Sequence, residues 1–212
     1  NNKYGYFPSF SLGWKVSEEE FMKNSIFSNL KLRAGWGITG NQEIPEKQTQ
    51  ALFTSSTAGN LSYPLTGNGP YPAGTIYARL ANPDLQWETS QQIDVGLDFA
   101  LLKGALSGTI DYFRKVTTDI LLQVPPADPI QPATTLWTNV KDMEVINQGV
   151  ELELDYKHTG KNFNYNVGGN VTFINNEVKN SPYTVISTGL AAGAGLTASP
   201  INGYVNNEPI GT

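Results

Sequence analysis

The chain has 212 residues, 14 Lys and Arg against 19 Asp and Glu, one His and no Cys. A formal charge of −5 with no basic cluster excludes nucleic acid as a partner, because phosphate binding needs concentrated positive charge. The absence of Cys removes disulfides, thiolate catalysis and Cys-ligated metals together, and no run approaches the roughly 18 apolar residues of a membrane-crossing helix, so any membrane role falls to strands.

Six segments alternate apolar and polar residues with the period of a strand. The first, over 5–16, sets Tyr6, Pro8, Phe10, Leu12, Trp14 and Val16 against Ser9, Ser11, Gly13 and Lys15. The second, 29–39, sets Leu30, Leu32, Ala34, Trp36 and Ile38 against Lys31, Arg33, Gly35, Gly37 and Thr39. Segments 85–100 and 105–117 follow, with Ile93, Val95, Leu97 and Phe99 and then Leu106, Ile110 and Tyr112 on the apolar side, until Phe113 breaks the pattern. The last two, 147–157 and 163–174, place Val150, Leu152, Leu154 and Tyr156, then Phe163, Tyr165, Val167, Val171 and Phe173, on one face. No charge interrupts these apolar faces, while the opposite faces hold Lys, Arg, Asp, Glu and Asn.

The connections alternate between short and long. After the first strand, Ser17 and Glu20 form a capping-box pattern, with Val16 placed to staple onto Phe21, which predicts a short helix with a charged start. Leu102-Lys103-Gly104 and residues 158–162 are the other short turns, whereas 40–84, 118–146 and 175–212 are long and polar. In an up-and-down barrel this order puts every short turn at one end and every long loop at the other, as in outer-membrane barrels. Strand length agrees: Phe163 to Phe173, tilted by about 45°, spans roughly 23 Å, close to the apolar height of such barrels. Aromatics sit near both ends, with Trp14, Phe99, Tyr156 and Tyr165 toward the short turns and Tyr6, Trp36, Tyr112 and Phe173 toward the long loops, as two membrane-interface girdles.

Five stretches then carry a family likeness. Tyr6-Phe7-Pro8-Ser9-Phe10-Ser11-Leu12-Gly13-Trp14, Leu30 to Gly37 running into Thr39-Gly40-Asn41-Gln42, Asn82-Pro83-Asp84-Leu85-Gln86-Trp87-Glu88-Thr89, Asn147-Gln148-Gly149-Val150-Glu151-Leu152 and Gly168-Gly169-Asn170-Val171 resemble, in order, the C-terminal barrel region of SusC/RagA-type TonB-dependent transporters. The resemblance implies an all-β, antiparallel, up-and-down transmembrane β-barrel segment, part of a larger plugged barrel of about 22 strands. It implies a place in the outer membrane of a Gram-negative bacterium, the lipid bilayer around the barrel, and import of glycans or peptides with a SusD-like surface lipoprotein. TonB would act through an N-terminal region outside these residues. Both ends of the chain read as cuts within a longer protein.

The inward carboxylates Asp94, Asp98, Asp111, Glu151, Glu153 and Asp155 resemble glycosidase acids only in type; their even spacing along strands reads as a polar lumen wall, and no enzyme activity is expected. The acidic face of the fifth strand could attract a cation, but no loop ligands accompany it, so neither metal nor cofactor is assigned. His158 alone builds no site. In the long connections Tyr63, Tyr71, Tyr77 and Trp137 offer flat faces either for stacking on substrate or for packing the loops against one another. The rival is a soluble, secreted, carbohydrate-binding β-sandwich. It would bury Leu152, Leu154, Val167 and Val171 against a second sheet, whereas a barrel leaves them open.

Overall fold

In the computed structural model, the described residues are 4–56, 73–124, 136–182, 186–193 and 196–209, with the side chains of 56, 77, 186–193 and 196–204 outside the description. The chain divides into two compact units, residues 1–5, 41–88 and 119–141 in one and 6–40, 89–118 and 142–212 in the other.

The second unit is built on a six-stranded antiparallel sheet. Its strands are β1 (Ser9–Trp14), β2 (Phe27–Asn41), β5 (Glu88–Leu101), β6 (Leu106–Thr118), β9 (Glu144–Thr159) and β10 (Asn164–Lys179), hydrogen-bonded in that order. The hairpin β11 (Ile186–Gly193) and β12 (Leu196–Tyr204) completes this unit. The first unit holds two hairpins, β3 (Leu52–Ser56) with β4 (Gly74–Arg79) and β7 (Ile120–Val124) with β8 (Leu136–Val140). Neighbours in the large sheet are consecutive among its own strands, so it is an up-and-down meander whose long connections are themselves folded. The sequence reading of 40–84, 118–146 and 175–212 as loops is corrected accordingly: each contains a two-stranded hairpin, and short strands such as Leu52–Ser56 and Ile120–Val124 lack the apolar–polar alternation a half-buried strand would show.

Strand limits also shift. β2, β9 and β10 run past their expected ends, to 41, 159 and 179, and β1 is confined to 9–14. The expected helix after β1 is replaced by two 3-10 turns, Val16–Glu18 and Glu20–Met22, neither with a side-chain cap. The staple does not form, since Val16 is buried and Phe21 is exposed. Instead the acids pair locally: Lys15 binds Glu18, Lys23 binds Glu20, and the Trp14 indole donates to Glu19 at 2.9 Å. These contacts satisfy the segment without the backbone commitment of an α-helical nucleus.

Register makes the apolar face continuous. Val95, Tyr112, Val150 and Phe173 lie in one cross-strand row, and Leu97, Ile110, Leu152 and Val171 in the next. Leu101, Leu106, Tyr156 and Val167 lie in a row nearer the short turns. On the other side of Tyr112 the row Ile93, Arg114, Gln148, Asn175 turns polar, which ends the band sharply. Phe113 is an apolar residue on the polar face, paired with Asp94 and Gly149, so the backbone alternation continues while the polarity pattern breaks there. From Phe173 to Tyr165 the band rises roughly 20 Å at a tilt of about 40°.

Among the described residues none forms a second layer over this face. Phe10, Leu12, Val167 and Phe173 are 66%, 62%, 64% and 69% exposed, Leu154 and Val171 are also exposed, and Leu152 is half-buried. A sandwich would pack these residues against a facing sheet, so that rival is overturned. The buried apolar residues lie elsewhere. In the second unit they include Val16, Met143, Ile146 and Val178; in the first, Ile120, Leu121, Val124 and Val140.

Candidate functional site

The opposite face of the sheet is a polar wall organised by one arginine. Arg33, on β2, donates from Nε to both carboxylate oxygens of Asp98 on β5, at 2.9 and 3.0 Å, and from Nη2 to Asp98 Oδ1 at 2.8 Å. The same Nη2 reaches Asp111 on β6, at 2.8 and 3.1 Å. β5 lies between β2 and β6, so the guanidinium must cross a strand, and it crosses at Gly96. A Cβ at Gly96 would collide with Asp111 Oδ1 and lie 2.8 Å from Arg33 Cζ. The glycine leaves room for this crossing, and any side chain at 96 would have to push the Asp111 and Arg33 termini aside.

Alternation places all six expected carboxylates on this face. Gly96, Asp111, Glu151 and Thr172 form one row, Asp98, Thr109, Glu153 and Asn170 the next, and Ala100, Ser107, Asp155 and Gly168 the third. Asp111 and Glu151 are thus direct cross-strand neighbours of like charge, an unfavourable pairing in isolation that Arg33 offsets at Asp111. Asp94 accepts a bond from Gln92 Nε2 at 2.9 Å. Glu151, Glu153 and Asp155 stand in a line along β9, and among the described residues no three His, Asp or Glu side chains converge as a metal site. A concavity of about 590 Å³ opens on the wall, lined by Arg33, Gln92, Asp94, Asp111, Lys115 and Glu151 with Phe113 and Asn147. The Phe113 ring packs over Gly149, where a Cβ would come within 2.9 Å of it. The sequence pattern groups these acids on one face, as the register does, but does not single out their organiser; the available signal was that Arg33 is a lone guanidinium among the acid-facing positions of these strands.

The aromatic positions separate by end. Trp14, Phe99, Tyr156 and Tyr165 lie toward the short turns, with Tyr165 stacked on His158 at 5.1 Å and 6.1 Å from Tyr156. Trp36, opposite Phe10, and Tyr112 and Phe173 lie toward the other end. Tyr6 precedes β1 and is 94% exposed.

In the first unit, two asparagines fasten the segment before β5. Asn82 Oδ1 accepts the Asp84 amide at 3.2 Å, an Asx turn, while its Nδ2 donates to the Trp137 carbonyl at 2.8 Å. Asn139 exchanges bonds with the Gln86 backbone at 2.8 and 3.1 Å and donates to the Asp119 carbonyl. Beside this segment a cleft of about 350 Å³ is lined by residues including Gln42, Pro45, Gln48, Gln86 and Trp87. Of the expected stacking residues, Trp137 is half-buried in β8 opposite Gln123, and Tyr77 pairs with Phe53 through its backbone. Tyr63 and Tyr71 lie outside the described residues. Trp87, on the cleft, was not singled out as a stacking residue from sequence.

Residues 1–205 match a family model described as TonB dependent receptor-like, beta-barrel. The chain is similar to the TonB-dependent receptor SusC of Bacteroides thetaiotaomicron, with 35% identity over 188 residues, 84% of this chain and 17% of that protein. A TonB-dependent receptor of Formosa agariphila is 32% identical over 184 residues, 86% of this chain and 17% of that protein. Among solved structures, that of the RagAB peptide transporter superposes with a TM-score of 0.73 at 23% identity, over 96% of this chain and 20% of that chain. The RagAB peptide importer in its open-open state gives 0.74 at 26% identity, over 90% of this chain and 20% of that chain. The chain therefore spans only 17% of the length of these curated relatives.

Proposed function

This chain belongs to the TonB-dependent receptor β-barrel family, an outer-membrane family of Gram-negative bacteria, and from that premise we propose that it forms part of the wall of a nutrient-import barrel. Hydrocarbon tails cover the apolar face, and the polar face lines the lumen with Asp94, Asp98, Asp111, Glu151, Glu153 and Asp155. The observation that carries this reading is the uncovered apolar band, bounded by the polar row Ile93–Arg114–Gln148–Asn175 and backed by a charged face. Trp14, Phe99, Tyr156 and Tyr165 then lie at one membrane interface and Tyr6, Trp36, Tyr112 and Phe173 at the other.

The imported substrate is a glycan or a peptide, taken from a SusD-like surface lipoprotein, with TonB acting through chain outside these residues. The name of the RagAB peptide transporter supports the peptide option. Trp137, from the long connections, serves substrate stacking. The wall is not catalytic: Asp98 and Asp111 are engaged by Arg33, and the β9 acids are spaced along one strand instead of facing each other across a cleft.

Nitroxide labels at Val171→Cys and Thr172→Cys, placed singly in the intact protein reconstituted in bilayers, test the reading. The label at 171 should be relaxed by dissolved oxygen and the label at 172 by a water-soluble nickel chelate. Equal access of the chelate to both positions overturns it.

A further inference from the structure

The cleft beside Trp87 in the first unit holds a polar side chain that the fold leaves unpaired. Gln48 lines this cleft and is only 8% exposed. Its carbonyl accepts the Asn82 amide at 3.2 Å, but its carboxamide has no hydrogen-bond partner among the described residues. No side-chain nitrogen or oxygen among those residues is both sealed from solvent and unpaired, so the Gln48 carboxamide must open onto the cleft. Two donors and an acceptor are thus held in a confined space with bonds to offer and none made.

Both sides of the cleft are fixed by the protein itself. On one side the chain turns at Lys47, whose φ of 62° is costly for a residue with a Cβ, and Gln50 N donates to Lys47 O at 3.0 Å. Arg79 Nε donates to Gln50 O at 3.2 Å and holds the end of that turn. On the other side Asn139 bonds both main-chain groups of Gln86, which anchors the segment from Leu85 to Trp87. These bonds also restrict the ligand. The carbonyls of Gln42, Lys47, Gln48 and Gln86 are all engaged, so this main chain is not free to pair with an extended peptide. Side chains remain: the carboxamide of Gln48 and the hydroxyl of Thr49, beside half-buried Trp87 and Leu85. The charged lining residues, Glu46 and Lys47, are exposed, which leaves the interior neutral.

We propose that this cleft binds one neutral pyranose ring of a glycan. The Gln48 carboxamide donates to one ring hydroxyl and accepts from its neighbour, the Thr49 hydroxyl bonds a third, and the C–H face of the ring rests against Trp87. A carboxamide suits vicinal hydroxyls because both present a donor and an acceptor side by side. The volume, about 350 Å³, lies at the small end of ligand pockets and fits a single ring. The inference rests on the nutrient-import reading of the preceding section and selects the glycan from its two substrate classes.

Saturation-transfer NMR of the intact transporter in detergent tests it, with methyl β-glucoside, methyl β-galactoside and methyl α-mannoside as ligands. At least one glycoside should be saturated through its ring C–H protons. Gln48→Met, which keeps the side-chain length but removes its donors and acceptor, should weaken that binding by about tenfold, and Thr49→Val by about fivefold. Gln50→Met, next in the turn but outside the lining, should change nothing, and a blocked alanine tripeptide should not compete. Saturation of none of the three glycosides overturns the proposal, as does parental affinity in Gln48→Met or Thr49→Val, an equal loss in Gln50→Met, or displacement by the tripeptide. Heat-modifiable gel mobility of the same samples reports folding separately. A protein that passes the nitroxide test but saturates no glycoside defeats the cleft alone, and one that fails the nitroxide test defeats the import reading whatever it binds.

Discussion

Arg33 on β2 and Asp111 on β6 are joined by two hydrogen bonds, of 2.8 and 3.1 Å, across the strand that separates them. The same guanidinium grips Asp98 on the intervening strand, so three strands are braced by one cation. Bidentate pairing fixes orientation as well as distance, and a lysine could not reproduce it.

Replacing Arg33 by Gln should therefore lower the stability of the intact barrel by about 1 kcal/mol. The cost stays modest because the side chain is 39% exposed and water partly screens the pair. The midpoint of heat-modifiable gel mobility in detergent measures it, and Arg33→Lys should recover less than half of the loss. An unchanged midpoint for Arg33→Gln would mean that the brace contributes nothing.

Gly96 provides a geometric test of the same brace. Gly96→Val must displace Arg33 or Asp111, at a cost of about 1 kcal/mol or more, whereas Gly169→Val fills open space, with no atom within 4 Å of its Cβ. Comparing the two melting midpoints separates crowding from a general dislike of bulk in the sheet. Similar losses at both positions would contradict the crossing geometry.

On the apolar face, Val171→Arg places a charge in the row of Leu97, Ile110 and Leu152. At mid-bilayer this should cost about 2–4 kcal/mol, while Thr172→Arg, one residue along and on the polar face, should cost little. Urea titration of folding into lipid vesicles reads the difference, and equal penalties would remove the lipid-facing assignment.

Asn206 clasps the end of β10. Its side chain accepts the Ser181 amide at 2.6 Å and donates to the Ser181 carbonyl at 2.8 Å, next to backbone bonds that tie Val178 to Asn207 and Glu208. Asn206→Ala should weaken this clasp by about 1 kcal/mol and accelerate amide exchange at Ser181 and Asn207 by roughly fivefold. Exchange confined to its parental rate would show that the backbone bonds suffice.

Expressed by itself in water, the 212-residue chain should aggregate, because it combines an uncovered apolar band with sheet edges at β1 and β10. Light scattering after refolding without detergent checks this. A monodisperse, cooperatively melting monomer would be incompatible with a lipid-covered face.

Period-two alternation from Phe10 to Trp14 and from Val150 to Tyr156 was sufficient to place the large strands and sort their faces, because side chains on a pleated backbone have only two directions. The alternation of short turns with long connections likewise yielded the up-and-down order. Neither signal could reveal the hairpins inside the long connections, where residues such as Thr54, Ser55 and Thr75 give no contrast between faces. The uncapped 3-10 turns after Trp14 were also hidden, since their first residues follow Lys15 and Glu19, and the capping-box pattern of Ser17 and Glu20 falls inside the turns instead of at a helix start.

What the sequence determined by itself was which residues share a face and which segments become long strands, both consequences of local backbone geometry. Only the tertiary structure decided who meets whom across strands: Arg33 with Asp98 and Asp111 over Gly96, and Lys157 with Ala105 at the turn. The physical reason is register, which is set by the pairing of distant strands and converts a one-dimensional alternation into specific neighbours in two dimensions.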